Sequence, residues 1–155
     1  MLRISRLADY GTAIMNHLTL HPEQVFSASE IAQHIQLMRK VPTVSKILKI
    51  LHEAGLVSSV RGVGGGYRLA KPAQEISIAE VITAIDGLPS LTECCQSDAC
   101  AQDNSCRVKT NWKTLNRFIL TTLQSLTLAD MSKPLNSHPV YLMMKEMLCK
   151  TNATI

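Results

Sequence analysis

Four of the chain's five cysteines, Cys94, Cys95, Cys100 and Cys106, fall within 13 positions, in the stretch CCQSDACAQDNSC. Cys94, Cys100 and Cys106 stand six positions apart, with five residues in each gap. The residues between them are small or polar, among them Gln96, Ser97, Asp98, Gln102, Asp103, Asn104 and Ser105. A segment with so little apolar surface does not order itself by packing, and a bound metal centre is the natural agent to order it. The residue types allow three chemistries. Structural zinc favours close Cys-x-x-Cys pairs, and this even spacing offers none. A thiol switch could use the adjacent Cys94 and Cys95. An iron–sulfur cluster needs thiolates arriving from different directions, which a polar loop can supply. Cys149 stands apart in the last helical stretch and reads as a small buried residue.

The elements that must carry this segment are helical on both sides. Apolar Leu7, Ala8, Ile14, Met15 and Leu18 recur at helical spacing until His21-Pro22. Ser27-Ala28-Ser29-Glu30 is a capping box that opens a short second helix. Pro42 in a first turn starts a third, with Val44, Ile47, Leu48 and Leu51 on one face and Gly55 as its stop. Residues 56–60 then alternate like a strand, Arg61-Gly62-Val63-Gly64-Gly65-Gly66 is a glycine-rich turn, and Tyr67-Arg68-Leu69 returns. Helix-turn-helix followed by a hairpin is a winged helix. A second capping box at Ser77–Glu80 leads into another helix ended by Gly87-Leu88-Pro89. Beyond the cysteines, a long helical pattern runs over about 108–128, with Trp112, Leu115, Ile119, Leu123 and Leu126 in one stripe. Pro134 and Pro139 bracket a linker, and a final amphipathic helix covers about 140–148. The fold class expected is mainly α: a winged helix-turn-helix with a two-stranded wing, plus a long dimerisation helix. Residues 1–75 form the DNA-binding part and 76–155 the cysteine loop and dimerisation helices. A stripe this long on a small chain suits pairing with a second copy.

Charge divides the chain the same way. The net +4 falls entirely in residues 1–75, while 76–155 are balanced and hold every cysteine. A basic half suits a nucleic-acid partner. On the third helix, Thr43, Ser45, Lys46 and Lys49 point away from the apolar face, toward base edges and phosphates of a major groove. Arg61 at the wing tip suits a minor groove, where the negative potential attracts arginine. Gly62 and Gly64–Gly66 let the backbone approach DNA, and Tyr67 joins the contact set. The glycine run enters a strand and lacks a following Lys-Ser/Thr, so it is not a nucleotide loop. His17, His21, His34, His52 and His138 form no Ser-His-Asp or His-Glu-x-x-His pattern, and no enzyme is expected. No apolar run approaches the ~18 residues of a membrane span, and the expected location is the cytoplasm, where clustered cysteines serve as metal ligands or redox sensors.

Asp9-Tyr10, LVSSVRGVGGGYRLA from Leu56 to Ala70, EISIAEVITAID from Glu75 to Asp86, and the evenly spaced Cys94, Cys100 and Cys106 together resemble the Rrf-two family of bacterial iron–sulfur transcription regulators, of the IscR, NsrR and RirA type. The resemblance covers about residues 1–130. Shorter strings, Leu91-Thr92-Glu93-Cys94, Asn111-Trp112 and Asn116-Arg117, are similar to the subgroup that regulates the SUF operon for iron–sulfur cluster assembly. The resemblance implies a homodimer with crossed long helices, each winged helix reading half of a pseudo-palindromic site in double-stranded DNA. It also implies a [2Fe-2S] or [4Fe-4S] cluster on Cys94, Cys100 and Cys106. IscR-like members complete the set with a histidine three positions after the last cysteine; here that residue is Lys109, which has no lone pair while protonated. NsrR-like members use a first-helix aspartate of the partner subunit, and Asp9 occupies that place. An ordinary first-turn carboxylate explains Asp9 equally well. Cys95 ranks below it, because ligation beside Cys94 would be strained. Two other functions fit the residues: a winged-helix regulator sensing oxidants through thiols without metal, and an iron–sulfur electron carrier, which needs no basic wing.

Overall fold

The structure, a computed structural model, describes residues 4–35, 41–96 and 106–152. Helix α1 (Arg6–Leu20) is capped by Ser5, whose Oγ accepts from Ala8 N. Ser5 also donates, through its N and Oγ, to the Asp86 carboxylate at 2.9 and 2.5 Å. That bond ties the head of α1 to the tail of α4 (Ile78–Asp86), against which α1 packs along its length. Helix α2 (Ala28–His34) opens on the reciprocal Ser27–Glu30 box, and α3 (Val41–Glu53) follows. Val44, Ile47, Leu48 and Leu51 of α3 are fully buried, at the spacing read from the sequence. The helix ends in a Schellman turn: Leu56 N bonds Leu51 O, Gly55 N bonds His52 O, and Gly55 takes φ +71°.

Strands β1 (Val57–Val60) and β2 (Gly66–Leu69) pair antiparallel, Val57 opposite Leu69 and Val60 opposite Gly66. The hairpin is fastened to the body by a bridge the sequence did not advertise. Phe26 N donates to Tyr67 O (3.1 Å) and Tyr67 N to Phe26 O (2.8 Å). Gly66 makes this possible, because a Cβ there would stand 2.3 Å from Phe26 O. The two-stranded wing thus has a third, one-residue partner at its root.

Helix α5 (Glu93–Gln96) is a single turn carrying Cys94 and Cys95, and it packs on α6 (Lys109–Ser125). Helix α6 stops three residues short of the expected end. Leu126 leaves the helix (φ −94°, ψ 125°), since residues 126–128 pair with 76–78: Ile78 N bonds Leu126 O and Leu128 N bonds Ile76 O, both at 2.9 Å. The apolar stripe divides accordingly. Leu123 and Leu126 pack on the core, while Trp112 and Leu115, with neighbouring Phe118, are exposed. Helix α7 (Leu128–Met131) is capped by a Thr127–Asp130 box, and a 3-10 turn at Leu135–Ser137 occupies the expected linker. Helix α8 (Pro139–Asn152) is longer than expected and exposes Tyr141, Leu142, Met143 and Met144. One core runs through the whole arrangement: Ile14, Met15 and Leu18 of α1, the α3 residues, Ile76, Val81 and Leu128 share it. No described helix is long and apolar enough to cross a membrane.

Three histidines that look scattered in the chain meet in space. The His17 ring lies 5.1 Å from those of His21 and His34 and 4.8 Å from Phe26. Its buried Nε2 has no hydrogen-bond partner among the described residues. Burial first, then the neighbouring His21 and His34, holds the His17 pKa below the ordinary imidazole value of 6.5. The unfolded chain therefore takes up this proton at a higher pH than the folded one. Stability linked to His17 is intact above about pH 6.5 and falls as pH drops from there toward the lower folded value. The carboxylates of Glu30 and Asp130 are lowered instead, first by side-chain hydrogen bonds from Ser27 and Thr127, so their contribution is lost only in the acid range below about pH 4.5. Replacing His17 by Phe should flatten the fall in melting temperature between pH 6.5 and 5 and leave the lower acid limb in place. Melts at stepped pH check this. Gly66→Ala should cost about 1–3 kcal/mol by driving β2 off Phe26, which denaturant unfolding measures.

Candidate nucleic-acid interface and cysteine centre

The burial of one α3 face decides what the other presents. Ser45, Lys46 and Lys49 are exposed, and Thr43 is half-buried at the start of the helix. Lys49 lies 3.9 Å from Glu53, an exposed pair that adds little to stability and leaves the ammonium accessible. The connection before α3, residues 36–40 with Arg39 and Lys40, lies outside the described residues. At the wing, Arg61 and Gly64 are exposed, Gly64 with φ +79°, and Val63 is the most exposed large apolar residue at the tip. Tyr67 differs from this group. It is half-buried, packs partly against the core, and its backbone forms the bridge to Phe26. Arg68, not singled out from the sequence, is exposed on β2 opposite Ser58. The strand's alternation was the signal for it, since Leu69 turns inward.

The cysteine centre is built on α6. Leu91 N donates to Asn116 Oδ1 (2.9 Å), and Asn116 is only 6% exposed. One residue on, Thr92 O accepts from Cys95 N (3.0 Å), closing the turn. The Thr92 hydroxyl lies 3.1 Å from Cys94 Sγ and 3.3 Å from Cys95 Sγ. Cys94 is buried and Cys95 half-buried. Cys106, half-buried, sits three residues before α6, with its carbonyl accepting from Lys109 N. Cys100 lies outside the described residues, as does the side chain of Cys149. Asp9 is exposed in the first turn of α1, its N–H bonded to Ser5 O. Among the described residues of one chain, no three His, Cys, Asp or Glu side chains converge on a common point. Asp9 therefore does not complete a ligand set with Cys94 and Cys106 inside one protomer. The thiol-rich donor set, with the Cys94 turn packed on α6 and Cys106 just before its start, nonetheless suits a soft, thiolate-bound centre.

Sequence reasoning passed over Thr92 and Asn116 as functional positions. Asn116 had a signal: it lies four residues from both Trp112 and Leu120, a polar side chain in an apolar stripe.

A family model described as an iron-dependent transcriptional regulator, Rrf2, matches residues 4–134. The chain belongs to the Rrf2 family. It is 34% identical over 134 residues to the HTH-type transcriptional regulator IscR of Yersinia pseudotuberculosis, covering 84% of this chain and 79% of that one. Against the protein rrf2 of Nitratidesulfovibrio vulgaris it is 28% identical, covering 85% and 88%. Among solved structures it resembles T. potens IscR (TM-score 0.65, 30% identity, 84% and 85% covered). It also resembles CymR, the global cysteine regulator of B. subtilis (TM-score 0.69, 28% identity, 85% and 97% covered). The Rrf2 chain is thus a winged-helix, DNA-binding transcription regulator and not an enzyme. Helix α8 lies beyond the matched residues.

Proposed function

We propose that this Rrf2 regulator is switched by an iron–sulfur cluster held on Cys94, Cys100 and Cys106, and that it controls genes for iron–sulfur cluster assembly, the SUF set, in response to iron or redox state. The observation that carries this is the fixing of the Cys94 turn onto α6 by Asn116, with Cys106 three residues before the same helix. The segment 94–106 is thereby closed at both ends on one rigid element. A cluster would supply a redox-active, oxidant-sensitive centre whose loss frees these thiols. The [2Fe-2S] and [4Fe-4S] forms both fit three thiolates plus one weaker ligand. Asp9 of the partner subunit is the fourth ligand on this reading, with Cys95 second, because Lys109 cannot serve. Trp112, Leu115 and Phe118, large, apolar and exposed on α6, support a homodimer of crossed helices. Each winged helix then reads half of a pseudo-palindromic operator, with Thr43, Ser45, Lys46 and Lys49 in a major groove and Arg61 and Gly64 at a minor groove. Tyr67 contributes by holding the wing through Phe26.

The CymR likeness, together with Thr92 lying between two adjacent sulfurs, favours one rival reading, a metal-free thiol sensor. Anaerobic reconstitution with iron and sulfide separates the two. The expected product is brown, with visible absorption that Cys106→Ser abolishes; a colourless protein that takes up only zinc, or no metal, removes the cluster. Asp9→Ala should shorten the lifetime of the bound cluster. On the DNA side, Arg61→Ala should weaken specific binding by about 1–3 kcal/mol at fixed salt, while Lys46→Ala weakens all sequences alike and lowers the salt slope by about 1. Titrations at two salt concentrations read both effects.

A further inference from the structure

We infer that Asn116 is a positioning residue of the cysteine centre, anchoring the turn that bears Cys94 and Cys95 to α6. Among the described residues it is the buried polar side chain of the molecule, 6% exposed on a helix whose neighbouring stripe positions are Trp112, Leu115 and Ile119. Leucine would fill such a position at less cost in desolvation, so the carboxamide needs a partner. It has one: Oδ1 accepts from the backbone N–H of Leu91 across 25 residues of sequence. Leu91 belongs to a connection, 87–92, that has no helix or strand of its own to satisfy its backbone. From Leu91 the restraint passes to the sulfurs within one residue. Thr92 O holds Cys95 N, and the Thr92 hydroxyl lies within 3.1–3.3 Å of both thiols. Deleting the anchor therefore loosens the turn, leaving it only its packing on α6, while the hydrophobic packing of α6 itself stays in place. The distal end needs no such device, because Cys106 joins α6 through two residues of chain, Arg107 and Val108.

The ligand role of the cysteines rests on the function proposed above, but the anchor does not, and the test keeps the two apart. It reads the alkylation rate of each cysteine in the metal-free, reduced full-length protein by iodoacetamide and mass spectrometry. In the wild type, buried Cys94 reacts slowly. Asn116→Leu, which fills the volume and removes the acceptor, should speed Cys94 about tenfold, the factor that loss of one ordinary hydrogen bond opens. Cys106 should keep its rate, whereas general unfolding would speed both. Asn116→Asp keeps an acceptor and should restore slow reaction at Cys94. Leu91→Pro removes the donor from the loop side without touching α6 and should reproduce the selective increase. An unchanged Cys94 rate in both Asn116→Leu and Leu91→Pro, or equal acceleration of Cys106, overturns the anchor whatever the metal content. Selective acceleration in a protein that takes up no iron leaves the anchor standing and removes the cluster reading alone. Where the cluster does form, Asn116→Leu should also release iron faster to a chelator than Asn116→Asp.

Discussion

Two backbone hydrogen bonds, Ile78 N to Leu126 O and Leu128 N to Ile76 O, tie the end of α6 and the start of α7 to the chain just before α4. They close a chain loop of about fifty residues that contains every described element of the cysteine region. They also place Ile76 and Leu128, both fully buried, in the core formed by α1 and α3. The pairing ends α6 at Ser125, where its stripe alone would have carried the helix on to about residue 128. With it, Leu123 and Leu126 dock, and the exposed apolar part of α6 is confined to its first half. The extent of the exposed apolar surface on α6 is thus set by where the helix is forced to end.

The wing obeys a similar constraint on a smaller scale. An isolated two-stranded hairpin of four residues per strand is marginal in water. Here the Phe26–Tyr67 bridge adds a third pairing at its root, and the bare backbone of Gly66 lets the two chains approach. The tip, from Arg61 to Gly64, is left exposed on a fastened base. A basic side chain on such a base can enter a groove without first paying the full entropy of ordering the hairpin.

Much of this was legible in the chain because it is local. Capping boxes at Ser27–Glu30 and Ser77–Glu80, the α3 stripe and the Gly55 stop each depend on residues within one or two turns, and each formed where the pattern placed it. What stayed hidden depends on partners far along the chain. Leu126 reads as one more stripe residue, and only Ile76–Ile78 make it a strand. Tyr67 reads as an aromatic on a basic wing, and only Phe26 turns its backbone into a fastening. His17, His21 and His34 read as isolated because α1 and α2 meet through a turn that periodicity does not describe. The cysteine spacing pointed to a thiolate centre, yet the strings that hold Thr92 and Asn116 showed only a likeness, not that the two residues meet the same turn. The amide in an apolar stripe was the one physical signal of that contact.

On the proposed reading these long-range contacts are also the route by which the cysteines reach DNA. The turn bearing Cys94 is fixed to α6 through Leu91 and Asn116, and α6 is rooted at Leu126 on residues 76–78. From there the core passes directly to Leu48 and Leu51 on the inner face of α3, whose outer face holds Ser45, Lys46 and Lys49. Every link is a hydrogen bond or a close-packed contact with little slack. A change at the sulfurs therefore need not travel as a large motion. If ordering of the 94–106 segment favours one crossing of paired α6 helices by only ~1–3 kcal/mol, operator affinity changes about 5- to 150-fold, because both recognition helices must match their half-sites together. The weakest joint in that route is Asn116, one hydrogen bond in an otherwise apolar contact. A joint of that strength can hold the segment when its sulfurs are engaged and yield when they are not, which is the property a switch needs and a purely hydrophobic seam would lack.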